Sequence, residues 1–552
     1  MRKEIINLLT KHNVPDEIAS LIEVPADASH GDFAFPCFAL AKLWKKSPIE
    51  IAKDIVNKIG KTKSFEKIEA VGPYVNFFVD ARDIAGEVLK KIEKDREKYG
   101  GGKFGRGRKI VIDLSSPNIA KPFGIGHLRS TIIGNSLALI SEFNGYKTVK
   151  INYLGDWGTQ FGKMIVGYKR FGNMQELKKN PVHYMLKLYI EGNKEDFEQE
   201  ARDWFKKLEN GDVQAIKLWK KFKEISLKNF NGIYKTLGIT FHITSGESLY
   251  EKKMKDVFKE LEKKRLLERD DGALIVDLKK YGLGVALIGK NDGTKLYITR
   301  DLAAAIDRYE KYKFSAMLYE VGQEQKLHFK QLFKILELMG YLWAKNCVHV
   351  DHGLYLGQDG KRFATRKGKT VFMEEVLEET INLAKEEIKK RAEISEKETD
   401  ERARRIAIAA IFYGDLKNYR SHDVIFDIDR FLSFEGDTGP YLLYSYARAN
   451  SILKKSKNKT KLIVNNVSEK EKQLISVLGR FPEVVRHSYE QLAPNLIANY
   501  AYTLAQTFNE FYHSCPVIGS DEEGFRLRLV RAFCHVMENA MHLLGIPLLK
   551  EM

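Results

Sequence analysis

Two runs of β-branched residues enclose one helical stretch, and this order constrains the fold more than any other feature of the chain. The first run is KIVID at residues 109–113, and the second is TVKIN at residues 148–152. Short apolar runs of this kind are typical of buried parallel strands. A strand, a helix and a strand in this order form a βαβ unit, which predicts a doubly wound parallel sheet. Further strand-like runs occur at residues 274–278, 286–287, 316–321 and 347–350.

Different patterns on either side of this region predict three domains. Residues 1–98 combine helical periodicity with two short strands, which indicates a small α+β domain. A glycine-rich, basic stretch follows and is typical of a linker. We predict a Rossmann-like domain over residues 105–375, with a charged helical insertion at about 165–235. Residues 376–552 show long amphipathic periodicity and predict an all-α bundle.

Composition limits the compartment and the partners. The net charge of +17 favours a polyanionic partner, although a lysine-rich surface kept for solubility or heat resistance explains it equally well. The four cysteines, at 37, 347, 515 and 534, form no CxxC pair, so we expect neither disulfides nor a cysteine zinc site. With no signal peptide and no apolar run of about 20 residues, we expect a cytoplasmic protein without a membrane partner.

The loop after the first strand, residues 113–130, ends where a helix begins near Gly126. The amides and dipole at a helix start can hold phosphate. His127 in the first turn could bond a phosphate oxygen, and Gly126 lets the backbone approach a flat base. Taken alone, a glycine-containing turn with an incidental histidine is the better explanation.

A second loop, DGKRFATRKGK at residues 359–369, has five cationic residues among its eleven. Such a loop can close over a triphosphate and neutralise departing pyrophosphate. In isolation, a solvated basic surface loop is the safer interpretation.

Together the two loops resemble the HIGH and KMSKS motifs of class I aminoacyl-tRNA synthetases, and further segments resemble arginyl-tRNA synthetases specifically. These segments are SSPNIAKP at 115–122, LGDWGTQFG at 154–162, SGES at 245–248, YITRDLAAA at 297–305, TGPYLLYSYAR at 438–448, HGDFA at 30–34 and GPYVNF at 72–77. The resemblance covers all three predicted domains in order. It implies a ligase that activates L-arginine with ATP and transfers it to tRNA(Arg), with an N-terminal domain at the tRNA elbow and a C-terminal anticodon-binding domain.

The resemblance also implies which residues bind arginine. Asp301 and Glu247 would face the guanidinium, whose two parallel N–H groups suit a carboxylate. Tyr297, four residues before Asp301, would pack on or bond the substrate from the same helical face. The alternatives are a surface helix cap for Glu247 and an ion pair with Arg300 or Arg308 for Asp301. The substrate's amine and amino-acid end are implied to meet Gln325, Asn118 and Ser116.

For ATP, the resemblance implies three residues at the first loop, and the second loop supplies others. The ATP-binding set is Gly124, Gly126, His127, Arg362, Thr365 and Lys367, and the catalytic set is His127, Lys121 and Arg366. Gly124 stands where the first histidine of HIGH is expected, and Phe363 and Ala364 depart from the usual second motif. Lys121 would compensate with a cation, as the family is known to do. Mg²⁺ would accompany ATP, although no carboxylate cluster identifies a protein ligand for it.

For tRNA, the resemblance implies contacts at both ends of the chain. Asn76 would read an elbow base, and Tyr441, Arg448 and Met552 would lie near the anticodon. Aromatic faces and a cation suit unstacked bases, although an aromatic core stripe explains some of these tyrosines. The family also implies a monomer that needs bound tRNA before it activates arginine.

Two other functions remain open from the sequence. Gly124 and Ala364 leave room for a catalytically silent paralogue that only binds RNA. The second open function is a class I synthetase for cysteine or lysine. The absence of zinc-ligand cysteines argues against the cysteine enzyme, and Asp301 with Glu247 favours a guanidinium substrate over both.

Overall fold

The computed structural model describes residues 2–23, 25, 27, 30–60, 62, 65–79, 81–119, 121–289, 297–361, 371–456 and 467–552, with only the backbone described for Arg2, Lys3, Ala81 and Tyr297. These residues form two compact units. One comprises Met1–Tyr99, Ile452–Arg480 and Gln506–Val536, and the other Gly100–Ser451, Phe481–Ala505 and Met537–Met552. Each unit combines three separate stretches of the chain, so this division does not test the predicted domain boundaries. The boundaries at residues 98, 105 and 375 stay predictions.

The N-terminal elements form a three-stranded antiparallel sheet with helices, whereas the sequence predicts two of these strands and misses β1. Its strands lie in the order β1-β3-β2, so β3 is central. The helix over residues 48–59 begins with a capping box, in which the side chains of Ser47 and Glu50 each accept a hydrogen bond of 3.2 Å from the other's backbone N–H. The elements are α1 Arg2–Lys11, α2 Asp16–Ala19, β1 Phe33–Pro36, α3 Phe38–Trp44, α4 Pro48–Ile59, β2 Phe65–Val71, β3 Tyr74–Val79 and α5 Ala81–Asp95.

The central sheet has five parallel strands in the order β11-β10-β4-β5-β6. Its central strand β4, Lys109–Asp113, has the bounds that the sequence predicts. The runs predicted near residues 275 and 286 are strands, but they belong to a separate antiparallel sheet, β7-β8-β9. The remaining strands are β5 Lys147–Leu154, β6 Ile243–Gly246, β7 Glu268–Asp270, β8 Ala273–Asp277, β9 Val285–Gly289, β10 Ala316–Gly322, β11 Cys347–His352, β12 Tyr355–Leu356 and β13 Val424–Ile425.

The strand order places the switch point of the sheet between β4 and β10. The chain leaves β4 towards β5 on one side, and returns through β10 on the other side. Ligands of doubly wound sheets bind at such a point, outside the carboxyl ends of the strands. The loop after β4 lies there and leads into α6, Gly126–Phe143, a helix that is buried along most of its length.

The other helices account for the insertion and for the C-terminal region. The predicted insertion near residues 165–235 is helical, from α7 to α11. The helices after α6 are α7 Thr159–Phe171, α8 Met174–Lys179, α9 Pro181–Gly192, α10 Glu198–Glu209, α11 Val213–Leu237, α12 Met254–Lys263, α13 Tyr297–Tyr312, α14 Lys326–Leu338, α15 Met373–Lys389, α16 Glu396–Leu416, α17 Ile428–Leu432, α18 Gly439–Lys455, α19 Glu469–Glu490, α20 Asn495–Ser514 and α21 Glu523–Leu543. Within the described ranges, no helix is long and apolar enough to cross a membrane.

Candidate active site

The carboxyl edge of the parallel sheet gathers buried polar atoms that the described part of the chain leaves without hydrogen-bond partners. Buried polar groups in proteins are nearly always hydrogen-bonded. An edge with several exceptions is therefore suited to a polar ligand. These atoms, on the last residues of the strands, in the loops after them or at the start of α6, are His127 Nδ1, Asn152 Oδ1, Tyr153 OH, Trp157 Nε1, Ser245 Oγ, Tyr319 OH and Glu320 Oε2.

The loop after β4 is strained and held in place by hydrogen bonds. Ser115 and Ser116 both have left-handed backbones, with φ of 73° and 48°. Ser116 Oγ donates to Asp113 Oδ1 at 2.8 Å, and the Ser115 N–H donates to Ser130 Oγ at 2.9 Å. Left-handed conformations are costly for non-glycine residues, and they persist where the surroundings fix them. The half-buried Ser116 side chain is thus anchored on the strand end.

Asn118 lies against the next strand's loop. Backbone hydrogen bonds of 3.2 Å join Ile119 N to Gly155 O and Gly155 N to Pro117 O. A Cβ at Gly155 would lie 2.0 Å from Asn118 Oδ1, so a side chain there would displace the Asn118 amide. The backbone hydrogen bonds hold Asn118 where the loops after β4 and β5 meet.

The start of α6 offers a neutral imidazole beside an open backbone. Nothing lies within 4 Å of where a Cβ of Gly126 would be, and Gly124 pairs with Phe372 in an isolated bridge. Burial is the main cause that lowers the pKa of His127 to about 4; the hydrogen bond with Gly124 opposes the shift, and the charges of His352 and Lys121 add to it. His127 is therefore neutral at pH 7 and can donate one N–H without carrying charge.

Lys121, the predicted compensating cation, is half-buried just before α6. Its Nζ lies 5.1 Å from the ring centroid of Tyr189 on α9. Its charge also contributes to the lowered pKa of His127, which places the two side chains in one electrostatic environment. A ligand phosphate near His127 would thus meet the positive charge of Lys121.

Glu247 lies partly buried beside Arg300 and is not a surface helix cap. Its side chain is 18% exposed, and its Oε2 lies 3.5 Å from Nη1 of Arg300, whose Nη2 lies 3.1 Å from Glu251 Oε2. Burial raises the pKa of Glu247 to about 8; Arg300 opposes this rise, and Asp301 and Asp156 add to it. Although Glu247 opens a short 3₁₀ turn, its pairing with Arg300 is a feature that the sequence did not reveal.

Asp301 pairs with a histidine, so the alternative ion pair with Arg300 or Arg308 is wrong. His328 Nε2 on α14 lies 2.8 Å from Asp301 Oδ2, and the aspartate side chain is 27% exposed. Arg308 instead contacts the buried Asp113 at 2.8 Å. The backbone puts Tyr297 at the first position of α13, one turn before Asp301, while its side chain lies outside the described residues.

Asp156 has a buried carboxylate with several partners, and the sequence analysis did not select this residue. The Ser248 N–H and Oγ each donate to its carboxylate at 2.8 Å, and Lys223 is ion-paired with it. A Cβ on Gly246 would lie 2.5 Å from this carboxylate. The hydrogen bonds from Ser248 to Asp156 therefore hold the segment that carries Glu247. The only sequence signal for Asp156 was its place in the LGDWG motif at residues 154–158.

The second loop is only partly described. Arg362, Thr365, Arg366 and Lys367 lie outside the described residues. The turn before them is closed by a hydrogen bond of 2.8 Å from Gly357 N to Lys361 O. Gln325 is exposed at the end of a 3₁₀ turn directly after β10, at the same sheet edge.

The predicted tRNA contacts differ in exposure. Asn76 on the central strand β3 is 1% exposed. Tyr441 and Arg448 on α18 are half-buried, and Arg448 Nη2 donates to the Tyr444 hydroxyl at 2.9 Å. Tyr446 is 1% exposed, so the core-stripe interpretation applies to it. At the chain end, Met552 is 37% exposed.

Three family models match consecutive parts of the chain. Residues 1–79 match the arginyl tRNA synthetase N terminal domain, residues 88–428 the catalytic domain of class I (R) tRNA synthetases, and residues 442–552 the DALR anticodon binding domain. The chain belongs to the arginyl-tRNA synthetase family. This membership confirms the predicted resemblance and, with the sheet described above, the predicted fold class.

Individual relatives agree with this placement. Arginine–tRNA ligase of Ligilactobacillus salivarius (strain UCC118) is 45% identical over 97% of this chain and 96% of its own length. The enzyme of the same name from Lactococcus lactis subsp. cremoris (strain MG1363) is 46% identical over 96% and 95%. The solved arginyl-tRNA synthetase of Thermus thermophilus superposes with a TM-score of 0.84 at 23% identity, covering 100% of this chain and 99% of that one, which supports the fold. Membership in a class I family also implies use of ATP.

Proposed function

We propose that this chain is an arginine–tRNA ligase. It forms arginyl-adenylate from L-arginine and ATP, releases pyrophosphate, and transfers arginine to the 3′-terminal ribose of tRNA(Arg). The observation that carries the proposal is the pair of acidic side chains, Glu247 and Asp301, at the carboxyl edge of a sheet whose switch-point loop leads into α6. Two carboxylates beside a helix start suit a guanidinium substrate and a nucleotide.

In the arginine-binding part of the site, Glu247 and Asp301 bind the guanidinium. His328 holds one oxygen of Asp301, which orients the carboxylate and leaves the other oxygen for the substrate. Tyr297 supports the substrate from the same face of α13. The amino-acid end lies towards the loop after β4 and the turn after β10, where Ser116, Asn118 and Gln325 stand.

In the ATP half, the adenosine lies over Gly126 and Gly124, and the phosphates lie between His127 and Lys121. The arginine carboxylate attacks the α-phosphorus in line, and the bond to pyrophosphate breaks. Neutral His127 donates a hydrogen bond to the phosphate, and Lys121 supplies charge. Arg362, Thr365, Arg366 and Lys367 of the second loop share the phosphate charge, and catalysis is positioning and charge neutralisation.

Mg²⁺ is proposed only as the companion of ATP. In the part of the chain that the structure describes, no group of three or more His, Cys, Asp or Glu side chains could hold a metal ion. We therefore assign no protein ligand and derive no step from a protein-bound metal.

In the second reaction, the terminal ribose hydroxyl attacks the adenylate carbonyl and AMP leaves. Tyr441, Arg448 and Met552 meet the anticodon region, and Asn76 the elbow. Because Asn76 is buried, contact with a base requires local movement of its strand's surroundings. The chain acts as a monomer in the cytoplasm.

The test is ATP–pyrophosphate exchange in the presence of tRNA(Arg) with a panel of amino acids. We expect exchange with arginine and none with lysine or cysteine. Asp301→Asn should lower exchange at least a hundredfold, since it removes a charge that faces the guanidinium. The matched control is Glu310→Gln, on the exposed end of the same helix. Absence of exchange with arginine would favour the RNA-binding paralogue, and exchange with lysine or cysteine another class I synthetase.

A further inference from the structure

A cavity of about 660 Å³ lies away from the strand-end site, on the body of α6 and β5. Its wall includes Asn135 of α6 and Lys150 of β5, with residues of α16 and the segment after α21. Asn135 follows His127 by eight residues, or roughly 12 Å along a helix that rises 1.5 Å per residue. The volume falls within the range of about 300–1,000 Å³ that is typical of small-molecule sites. We call it the Lys150 cavity.

Lys150 is an unusual wall residue because its ammonium has no carboxylate partner in the described part of the chain. The side chain is 7% exposed, and its Nζ donates to Asn135 Oδ1 at 3.2 Å. No carboxylate lies within ion-pair distance of Nζ among the residues that the structure describes. Burial lowers the pKa of Lys150, with the charge of Glu142 opposing, so the ammonium is poorly solvated and gains from an anion.

Two further cations from α16 line the cavity without ion-pair partners in the described ranges, Lys397 and Arg404. The acidic residues of the wall are already engaged. Asp400 pairs with Lys385 at 2.7 Å, and Glu401 pairs with Arg405 at 2.5 Å. The charge that remains for a ligand is therefore positive.

We propose that the Lys150 cavity binds a phosphate group, with Lys150 at its base and Arg404 at its entrance. A planar guanidinium and an ammonium together suit the tetrahedral oxygens of phosphate. The Asn135 amide and the wall hydroxyl of Thr240 add neutral donors, whereas the Thr236 hydroxyl already donates to Gly232 O at 3.2 Å. The same chemistry is carried by free inorganic phosphate and by the phosphodiester backbone of RNA, and the experiment separates these two sources.

The first arm titrates inorganic phosphate into the full-length protein at constant ionic strength and follows binding by calorimetry. Compared with the wild type, Lys150→Met should lose one phosphate isotherm or weaken it at least tenfold. The matched control is Lys147→Met, an exposed lysine of the same strand outside the cavity. Arg404→Gln is a second variant, and its exposed position makes misfolding an implausible cause of lost binding.

The second arm measures the dissociation constant of tRNA(Arg) at several salt concentrations. Each phosphate contact contributes about 0.9 to the slope of log K against log salt. If the ligand is RNA, Lys150→Met and Arg404→Gln should each reduce that slope by about one, and Lys147→Met should not. This arm rests on the proposed function, but it reads RNA affinity directly and the first arm does not depend on RNA.

Loss of the phosphate isotherm with an unchanged tRNA slope supports a free anion as the ligand. A reduced tRNA slope supports the RNA backbone. If both variants bind phosphate and tRNA as the wild type does, the proposal is wrong and the cavity holds only solvent.

Discussion

Lowering the pH below 8 should weaken arginine binding, because the cation must meet Glu247 in its ionised form. Burial raises the pKa of Glu247 to about 8 in the free protein. At pH 7 roughly one molecule in eleven is then ionised, and at pH 6 roughly one in a hundred. Arginine affinity should rise about ninefold between pH 6 and pH 7, and about tenfold more in total between pH 7 and pH 9.

The direction of this pH dependence follows from the protonation of Glu247 in the free site and in the arginine-bound site. The free site favours neutral Glu247, and a bound guanidinium favours the carboxylate, so binding releases a proton. Arginine affinity is therefore near its maximum at about pH 9 and is lost as the pH falls through 8. The charged groups that face Glu247 are Arg300, Asp301 and Asp156, with Glu251 on the far side of Arg300.

Isothermal titration calorimetry measures both parts of this prediction. Arginine is titrated at pH 6, 7 and 8 in two buffers of different ionisation enthalpy, and about 0.9 proton should be released per arginine at pH 7. Glu247→Gln should bind more weakly with no such pH dependence, while Glu310→Gln should match the wild type. A wild-type affinity that is flat from pH 6 to pH 8, or a slope that persists in Glu247→Gln, would refute the reasoning.

Two further predictions concern packing around the site. Gly246→Ala places a Cβ 2.5 Å from the fixed carboxylate of Asp156, so we expect a loss of about 1–3 kcal/mol in stability and a raised KM for arginine, measured by thermal melting and by exchange kinetics. Gly232→Ala, where a Cβ meets nothing within 4 Å, should do neither. Arg129→Met removes one partner of an ion pair whose side chains are each 1% exposed, and should cost about 3–5 kcal/mol in the free energy of unfolding. If adding Asp415→Asn to Arg129→Met recovers none of this loss in urea unfolding, the uncompensated charge is not its cause.

Strands of the central sheet were predictable where an apolar run is bounded on both sides by residues that disfavour strands. KIVID at β4 is such a run, and the structure ends it at the same residues. Strand β6, Ile243–Gly246, was missed because the strand has only four residues and half of them are polar. Its place is decided by pairing with β5, a contact between residues about ninety positions apart in the chain. Periodicity within a short window contains no information on such pairing.

The candidate site shows the same division between local and distant information. The motifs select Glu247 and Asp301, but they do not show their partners. Neighbours in sequence suggested Arg300 or Arg308 for Asp301, whereas packing of α13 against α14 brings His328 to it. Arg300 instead meets Glu247 across a gap of more than fifty residues. Partner choice depends on how helices are placed, which the spacing of residues along one helix does not determine.

The carboxyl edge of the sheet has three features that are uncommon in protein interiors, and a bound ligand would relieve two of them. It holds two left-handed serines, buried polar atoms without partners in the described chain, and a glutamate whose pKa is about 8. The unpartnered polar atoms and the neutral Glu247 side chain gain from a charged, hydrogen-bonding ligand, whereas the left-handed serine backbones are a cost that the fixed loop after β4 keeps. Directly beside this edge, the apolar residues Ile110, Val111 and Ile112 of β4 are buried. These groups lie where arginine and ATP are proposed to bind, and the buried apolar residues beside them supply stability that keeps the groups in place.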